Sequence, residues 1–182
     1  MHRAAVLELL RAHGDRPLSA AEASAVGGTI SFVESHADCL LRSCVPGHLT
    51  GSAWVVSPER RRTLLTLHRK LGKWLQLGGH ADGDPDLLRV ALREAREESG
   101  LSRLAAADRR LFDVDRHWIP ESAGAPGHWH YDLRFMFEAE PSAPLTATDE
   151  SRELSWFEVA AVSGLNPEES MARLVRKTLA LG

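Results

Sequence analysis

The stretch "GGHADGDPDLLRVALREAREESGL", residues 78–101, decides how the chain is read. It opens as a glycine-rich loop and turns into a helix. Asp84 suits an N-cap, Pro85 fits the first helical position, and Asp86 complements the positive end of the helix dipole. Leu88, Ala91, Leu92 and Ala95 form an apolar strip that can dock on a sheet, and Gly100 stops the helix. Rotation of about 100° per residue puts Glu94, Glu97 and Glu98 on one face. Their Cβ atoms then lie about 5–6 Å apart, where like charges repel. Arg93 stands four residues before Glu97 and can clamp it from the side. The cluster is therefore either a solvated face laced with arginine–glutamate pairs or a docking surface for a hard cation. Spacing alone leaves both readings open. The preceding Gly78–Gly79 pair would let a phosphate chain approach the backbone closely.

Upstream, Val6, Leu7, Leu9 and Leu10 predict a first helix that stops near Gly14. "PLSAAEASAVGG" and "SFVESHADCLLRSCVPG" continue in short helical pieces to about residue 45. "SAWVVS" and "TLLTLH" predict a hairpin across "PERRR". Downstream, "LFDVDRHWIP" and "HWHYDLRFMFEAE" are strands separated by the loop "ESAGAPG", and "PSAPLTATDE" leads into the strand "RELSWFEV". Asn166 as N-cap and Pro167 at the first helical position open a closing helix. Its buried face carries Met171, Leu174, Val175, Thr178 and Leu179. Helices, then strands around one central helix, then a helix predict an α+β fold with a mixed sheet.

The 182 residues, 43% hydrophobic and 26% charged, describe a soluble globular chain with room for a core. A net charge of −3 gives no basis for bulk nucleic-acid binding. No apolar run approaches the roughly 20 residues that span a bilayer, so no membrane partner is expected. "MHRAAVLELLRAHGDR" reads as an amphipathic helix, not a signal peptide. Cys39 and Cys44 make no metal pattern, and one disulfide is too few for a secreted scaffold. The cytoplasm is the expected location.

Nine histidines stand out. His80 follows the glycine pair and should face the phosphate-cradling loop. His128 and His130 fall on one side of a strand. Such a pair can bind a transition metal, but no third ligand is evident. A hydrogen bond to substrate phosphate or base ranks above that role, and a structural role ranks above both. Trp118, Trp129 and Tyr131 could stack on a nucleobase, although aromatic residues on strands are usually core.

The stretch resembles the Nudix box: Gly, five residues, Glu, seven residues, then Arg-Glu-apolar-any-Glu-Glu-any-Gly-apolar. Gly79 matches the opening glycine. Arg93, Glu94, Ala95, Glu97, Glu98, Gly100 and Leu101 match the C-terminal half in register. The resemblance implies a Nudix-type α/β/α sandwich with a mixed sheet over residues 49–182, preceded by a helical extension over residues 1–48. It implies a metal-dependent hydrolase that cleaves a diphosphate linkage in a nucleoside diphosphate linked to another moiety. Glu94, Glu97, Glu98 and the Gly79 carbonyl would hold Mg2+ or Mn2+. Arg93, Glu94 and Glu97 would serve catalysis, and Gly78, Gly79, His80 and His130 the substrate. The general base would be Glu97, or Glu150 or Glu153 on a later loop, although that pair also fits surface charge. The partner would be a small nucleotide or diphosphate, and a homodimer is allowed for.

One position departs from the pattern. Pro85 stands where the box has a glutamate that mostly orients the loop; Asp82, Asp84 or Asp86 could supply a carboxylate nearby. That departure and the helical extension suit an alternative, a catalytically silent Nudix-fold module that binds a nucleotide or regulates. An isopentenyl-diphosphate isomerase-like enzyme would need a cysteine beside the box loop, and "LQLGGH" has none.

Overall fold

The computed structural model describes residues 2–69, 71–121, 126–147 and 151–182. Two helices come first, α1 (His2–Gly14) and α2 (Ala20–Ser35), then β1 (Gly47–Val56), β2 (Arg62–His68), β3 (Trp74–Leu75) and β4 (Leu77–His80). Next are α3 (Leu87–Ser99), β5 (Ala105–Ala106), β6 (Asp113–Ile119), β7 (His128–Glu138) and β8 (Ser151–Glu158). A 3-10 turn (Val159–Ala161), α4 (Val162–Leu165) and α5 (Glu169–Leu179) end the chain. Hydrogen bonds link the strands into a mixed sheet in the order β3-β2-β1-β7-β5, with β4 on β1, β6 on β7 and β8 on β2. The α+β class follows.

Residue contacts divide the chain into two compact units. One comprises Met1–Gly51, Gly79–Ala91 and Arg109–Phe135; the other comprises Ser52–Gly78, Leu92–Asp108 and Met136–Gly182.

In the first unit α1 lies along α2, burying Val6 and Leu10, and α2 packs on β6. Of the short helical pieces expected to about residue 45, the first are one continuous α2, capped by Ser19, whose hydroxyl accepts from the Glu22 amide at 3.2 Å, whereas residues 36–46 run as turns into β1. The Gly27–Gly28 pair does not break α2. A Cβ on Gly28 would meet only the Arg116 side chain, at 2.8 Å from its mobile Nη1, and one on Gly27 would meet nothing within 4 Å. Phe32 stacks on Tyr131 at 4.0 Å between centroids, which makes Tyr131 core and not a base-stacking residue.

Strands β6 and β7 are antiparallel, with Asp113 opposite Arg134 and Asp115 opposite Asp132. Buried Arg134 donates to Asp132 at 2.8 Å, Asp115 at 3.2 Å and Asp113 at 3.3 Å. Thr50 on β1 donates to the other Asp132 oxygen at 2.8 Å.

In the second unit β1 and β2 form the expected hairpin, with Val55 opposite Leu64. Strand β8 lies on the other edge of β2, with Leu64 opposite Trp156. Trp54 is fully buried and donates to Thr178 Oγ1 on α5 at 2.8 Å. Met171, Leu174, Val175 and Thr178 are buried as their spacing predicts, whereas Leu179 is 55% exposed. Helix α5 begins at Glu169, three residues after the expected cap. Asn166 instead closes α4 and spends its amide on the Trp74 carbonyl at 3.0 Å.

Breaking a buried ion network by removing one partner costs about 3–5 kcal/mol, because the charges left behind stay desolvated. Arg134→Met is expected to lose stability on that scale in urea unfolding. A variant that unfolds at the wild-type midpoint would show that the network does not hold these strands.

Candidate active site

Helix α3 starts later than its sequence suggests. Asp86 is the N-cap: its Oδ1 accepts from the Arg89 amide at 3.1 Å, and its carbonyl accepts the first helical bond, from Val90, at 3.0 Å. Asp84, predicted as the cap, turns the chain by accepting from the Asp86 amide at 2.9 Å. Pro85 therefore precedes the helix. The buried stripe of α3 is Leu87, Val90, Ala91, Ala95 and Ser99, whereas Leu88 and Leu92, expected in it, are only half-buried. Gly100, at φ +73°, ends the helix as expected.

In the second unit Glu94 and Glu98 are half-buried and Glu97 is exposed. Glu98 Oε2 accepts from the Gly78 amide at 3.1 Å, which ties the helix to the glycine pair. A Cβ on Gly78 would fall 2.7 Å from Ser52 Cα, so the position admits only glycine. Arg93 donates to Glu94 at 2.7 Å. Glu153 is exposed on β8, and Glu150 lies outside the described residues. The donor set is all oxygen, as a hard divalent cation requires.

The three aspartates near Pro85 have other work, all within the first unit. Asp82 takes a bidentate pair from Arg42 at 2.7 Å on each oxygen, and Asp84 takes one from Arg89 at 2.8 and 2.6 Å. Asp86 caps the helix.

The histidines gather further than their sequence positions show. His48 on β1 has His80, His128 and His130 around it at ring-centroid distances of 4.9, 4.8 and 4.8 Å. His117, opposite His130 in the β6–β7 register, adds a fifth ring at 5.4 Å. Burial pulls the His48 pKa down to about 4, helped by the neighbouring His80, His128 and Arg42. Burial likewise pulls His130 down to about 2, helped by His117, His80, His48 and His128. Both rings are neutral at neutral pH. Trp118 is 50% exposed and meets Trp129 edge-on at 5.4 Å, with Arg116 over the Trp129 ring at 4.8 Å. His48 and His117 escaped the sequence reading; the alternation of β6 was the only signal for His117.

Cys39 and Cys44 are free, buried thiols. Burial raises the pKa of both, that of Cys44 to about 11 with help from Asp38, so neither is an activated nucleophile.

The α+β fold with a glycine-anchored acidic helix is the setting in which the comparisons fall. The NUDIX domain family model matches residues 48–178, and the chain belongs to the Nudix family of hydrolases. Nudix enzymes generally use divalent metals. The structure is similar to a Caenorhabditis elegans Ap4A hydrolase in a binary complex (TM-score 0.59, 17% identity, covering 73% of this chain and 96% of that one). It is also similar to a NUDIX-family hydrolase from Clostridium perfringens (TM-score 0.55, 24% identity, 74% and 98% covered). A third is the Escherichia coli dihydroneopterin triphosphate pyrophosphohydrolase (TM-score 0.57, 14% identity, 74% and 96% covered). No curated protein matches the sequence.

If α3 carries a metal site, the repulsion among its carboxylates is a standing cost that a cation relieves, and a ligand that binds only the native state stabilises it by mass action. Added Mn2+ is expected to raise the melting temperature of the wild type. The Glu94→Gln/Glu97→Gln variant should match the metal-free wild type to within about 1 kcal/mol and lose the Mn2+ response. Identical responses in a manganese titration would refute the metal reading of α3.

Proposed function

We propose that this protein is a divalent-cation-dependent pyrophosphohydrolase acting on a nucleoside diphosphate linked to another moiety. The observation that carries the reading is the Gly78 amide bound to Glu98, which sets the acidic face of α3 against the glycine pair. Glu94, Glu97 and Glu98 would hold Mg2+ or Mn2+, with the Gly79 carbonyl as a further oxygen donor. Bound there, the cation neutralises the diphosphate and lowers the pKa of a water. Glu97 is the base we favour, because it is the exposed carboxylate of the three; Glu153 is the other described candidate. Arg93 positions Glu94. Gly78 and Gly79 would let the diphosphate approach the backbone, and His80 and His130 would be further substrate-binding residues. Attack by water at phosphorus forms one P–O bond and breaks the bridging one, releasing two phosphate-bearing products. We take residues 49–182 as the catalytic domain and residues 1–48 as an extension to it. Two free thiols suit a reducing compartment, and the proposal includes a cytoplasmic enzyme.

The neighbours' printed substrates, Ap4A and dihydroneopterin triphosphate, support starting from phosphoanhydrides. Pro85, with Asp82, Asp84 and Asp86 committed elsewhere, favours a second reading, a module that binds such a compound without cleaving it.

A panel of nucleoside-diphosphate compounds assayed at single turnover with Mg2+ separates the two. Cleavage of at least one compound is expected, with none in chelator. Glu98→Gln should cut the rate by at least about ten-fold, the scale on which even groups behind the metal ligands act, and it keeps an oxygen for the Gly78 amide. Tight binding of a panel compound with no cleavage would establish the silent module.

A further inference from the structure

The histidine cluster has features that neither substrate binding nor core packing accounts for. His48 is 4% exposed, yet among the described residues neither of its ring nitrogens has a hydrogen-bond partner. A buried polar atom without a partner is costly, and its presence in a native fold calls for an explanation such as an unseen ion. The lone pair of a neutral imidazole nitrogen is a metal ligand, and an ion would take it up.

The neighbouring rings are arranged to share that ion. His128 Nε2 and His130 Nε2 lie 3.2 Å apart. In a tetrahedral zinc site with bonds of about 2.0–2.1 Å, two nitrogens sit about 3.3–3.4 Å apart. One ligand atom from each of His48, His128 and His130 falls within 4.8 Å of the others. His128 Nδ1 is 2.8 Å from the Pro126 carbonyl, which can only accept. The proton is therefore on Nδ1, and Nε2 presents a lone pair, the orientation that a carbonyl behind a metal-bound histidine enforces. A hydrogen bond from His130 to His128 would satisfy those two rings alone and leave His48 unmet.

We propose that His48, His128 and His130 form a three-imidazole site for a divalent transition-metal ion of the zinc type, with a fourth coordination position open to water or an anionic oxygen. His80 and His117 flank the trio, and His117 leans on Asp115 at 3.5 Å. Nitrogen donors select borderline ions, whereas the all-oxygen set on α3 suits Mg2+ or Mn2+. The site does not depend on the chain being an active pyrophosphohydrolase.

The test is a Zn2+ titration by calorimetry of full-length protein without a histidine tag, in excess Mg2+ to occupy the carboxylates. One Zn2+ per chain is expected to bind. His128→Gln should weaken binding by at least about ten-fold, while Glu97→Gln/Glu98→Gln leaves it unchanged. Co2+ added to the wild type should give the intense visible bands of a four-coordinate site, a readout that needs neither activity nor any variant to fold. Failure to bind Zn2+ in Mg2+, binding lost in the glutamine pair but kept in His128→Gln, or only the weak bands of six-coordinate Co2+ would each overturn the site.

Discussion

A guanidinium buried among three carboxylates sets the register on which the first unit depends. Burial pulls the pKa of Arg134 down, but Asp115, Asp132 and Asp113 more than offset this, so the side chain stays charged. Its bonds hold Asp113 and Asp115 on β6 against Arg134 and Asp132 on β7, and Thr50 brings β1 to Asp132. Side chains alternate along a strand with period two. His130 is two residues before Asp132, His117 two after Asp115, and His48 two before Thr50, so each shares the face of its partner in the ion network. A slip of one residue would turn these imidazoles to the opposite face. The cluster is thus a consequence of the network, and the cost of burying four charges is met by the contacts they make with one another.

The two groups of candidate ligands are built by different means. On α3, helical spacing alone puts three carboxylates together, and the added element is the Gly78 amide that fixes Glu98. Nothing long-range is needed to assemble that face. The imidazoles come from four separate strands, β1, β4, β6 and β7, and only sheet pairing assembles them. Carboxylates half in solvent can stay ionised and await a hard cation. Burial holds His48 and His130 well below the ordinary imidazole range, so those two rings remain neutral donors. The chemistry of each group follows from its degree of burial as much as from its residue type.

That difference in construction explains what was legible. The acidic helix, its stop at Gly100, the hairpin at "PERRR" and the strands around residues 113–119 and 128–138 follow from local pattern, and all are present. Local pattern also misplaced things. Asp84 and Asp86 are both good caps, and only the Arg89 amide, bound to Asp86, decides between them. Gly27 and Gly28 look like a break, yet α2 runs through them, with Ala25, Val26, Thr29, Phe32 and Val33 buried on either side of the pair. Asn166 has the residue type of a helix cap, but its amide is drawn to the Trp74 backbone. Leu179 satisfies the helical period and still faces solvent, because α5 ends there. His48 could not be recognised at all: it lies 80 residues before His128 in sequence, and no periodicity connects β1 with β7.

Pro85 is the feature that most divides the two functional readings, and the loop around it bears on the choice. By resemblance, the glutamate expected there mainly orients the loop, so the question is whether this loop is oriented without it. Proline fixes its own φ and biases the preceding residue toward extended backbone, which restricts Asp84 before any contact forms. The Gly83 amide donates to the Leu40 carbonyl at 2.9 Å, the Asp84 amide to Ala81 at 2.9 Å, and Arg42 grips Asp82 with two bonds. Arg89 returns from the first turn of α3 to hold Asp84. Leu40 and Arg42 precede residue 48, so the N-terminal extension supplies part of the hold on the loop. These bonds hold the loop without a carboxylate at position 85, and the same bonds keep Asp82, Asp84 and Asp86 from standing in for it as a ligand.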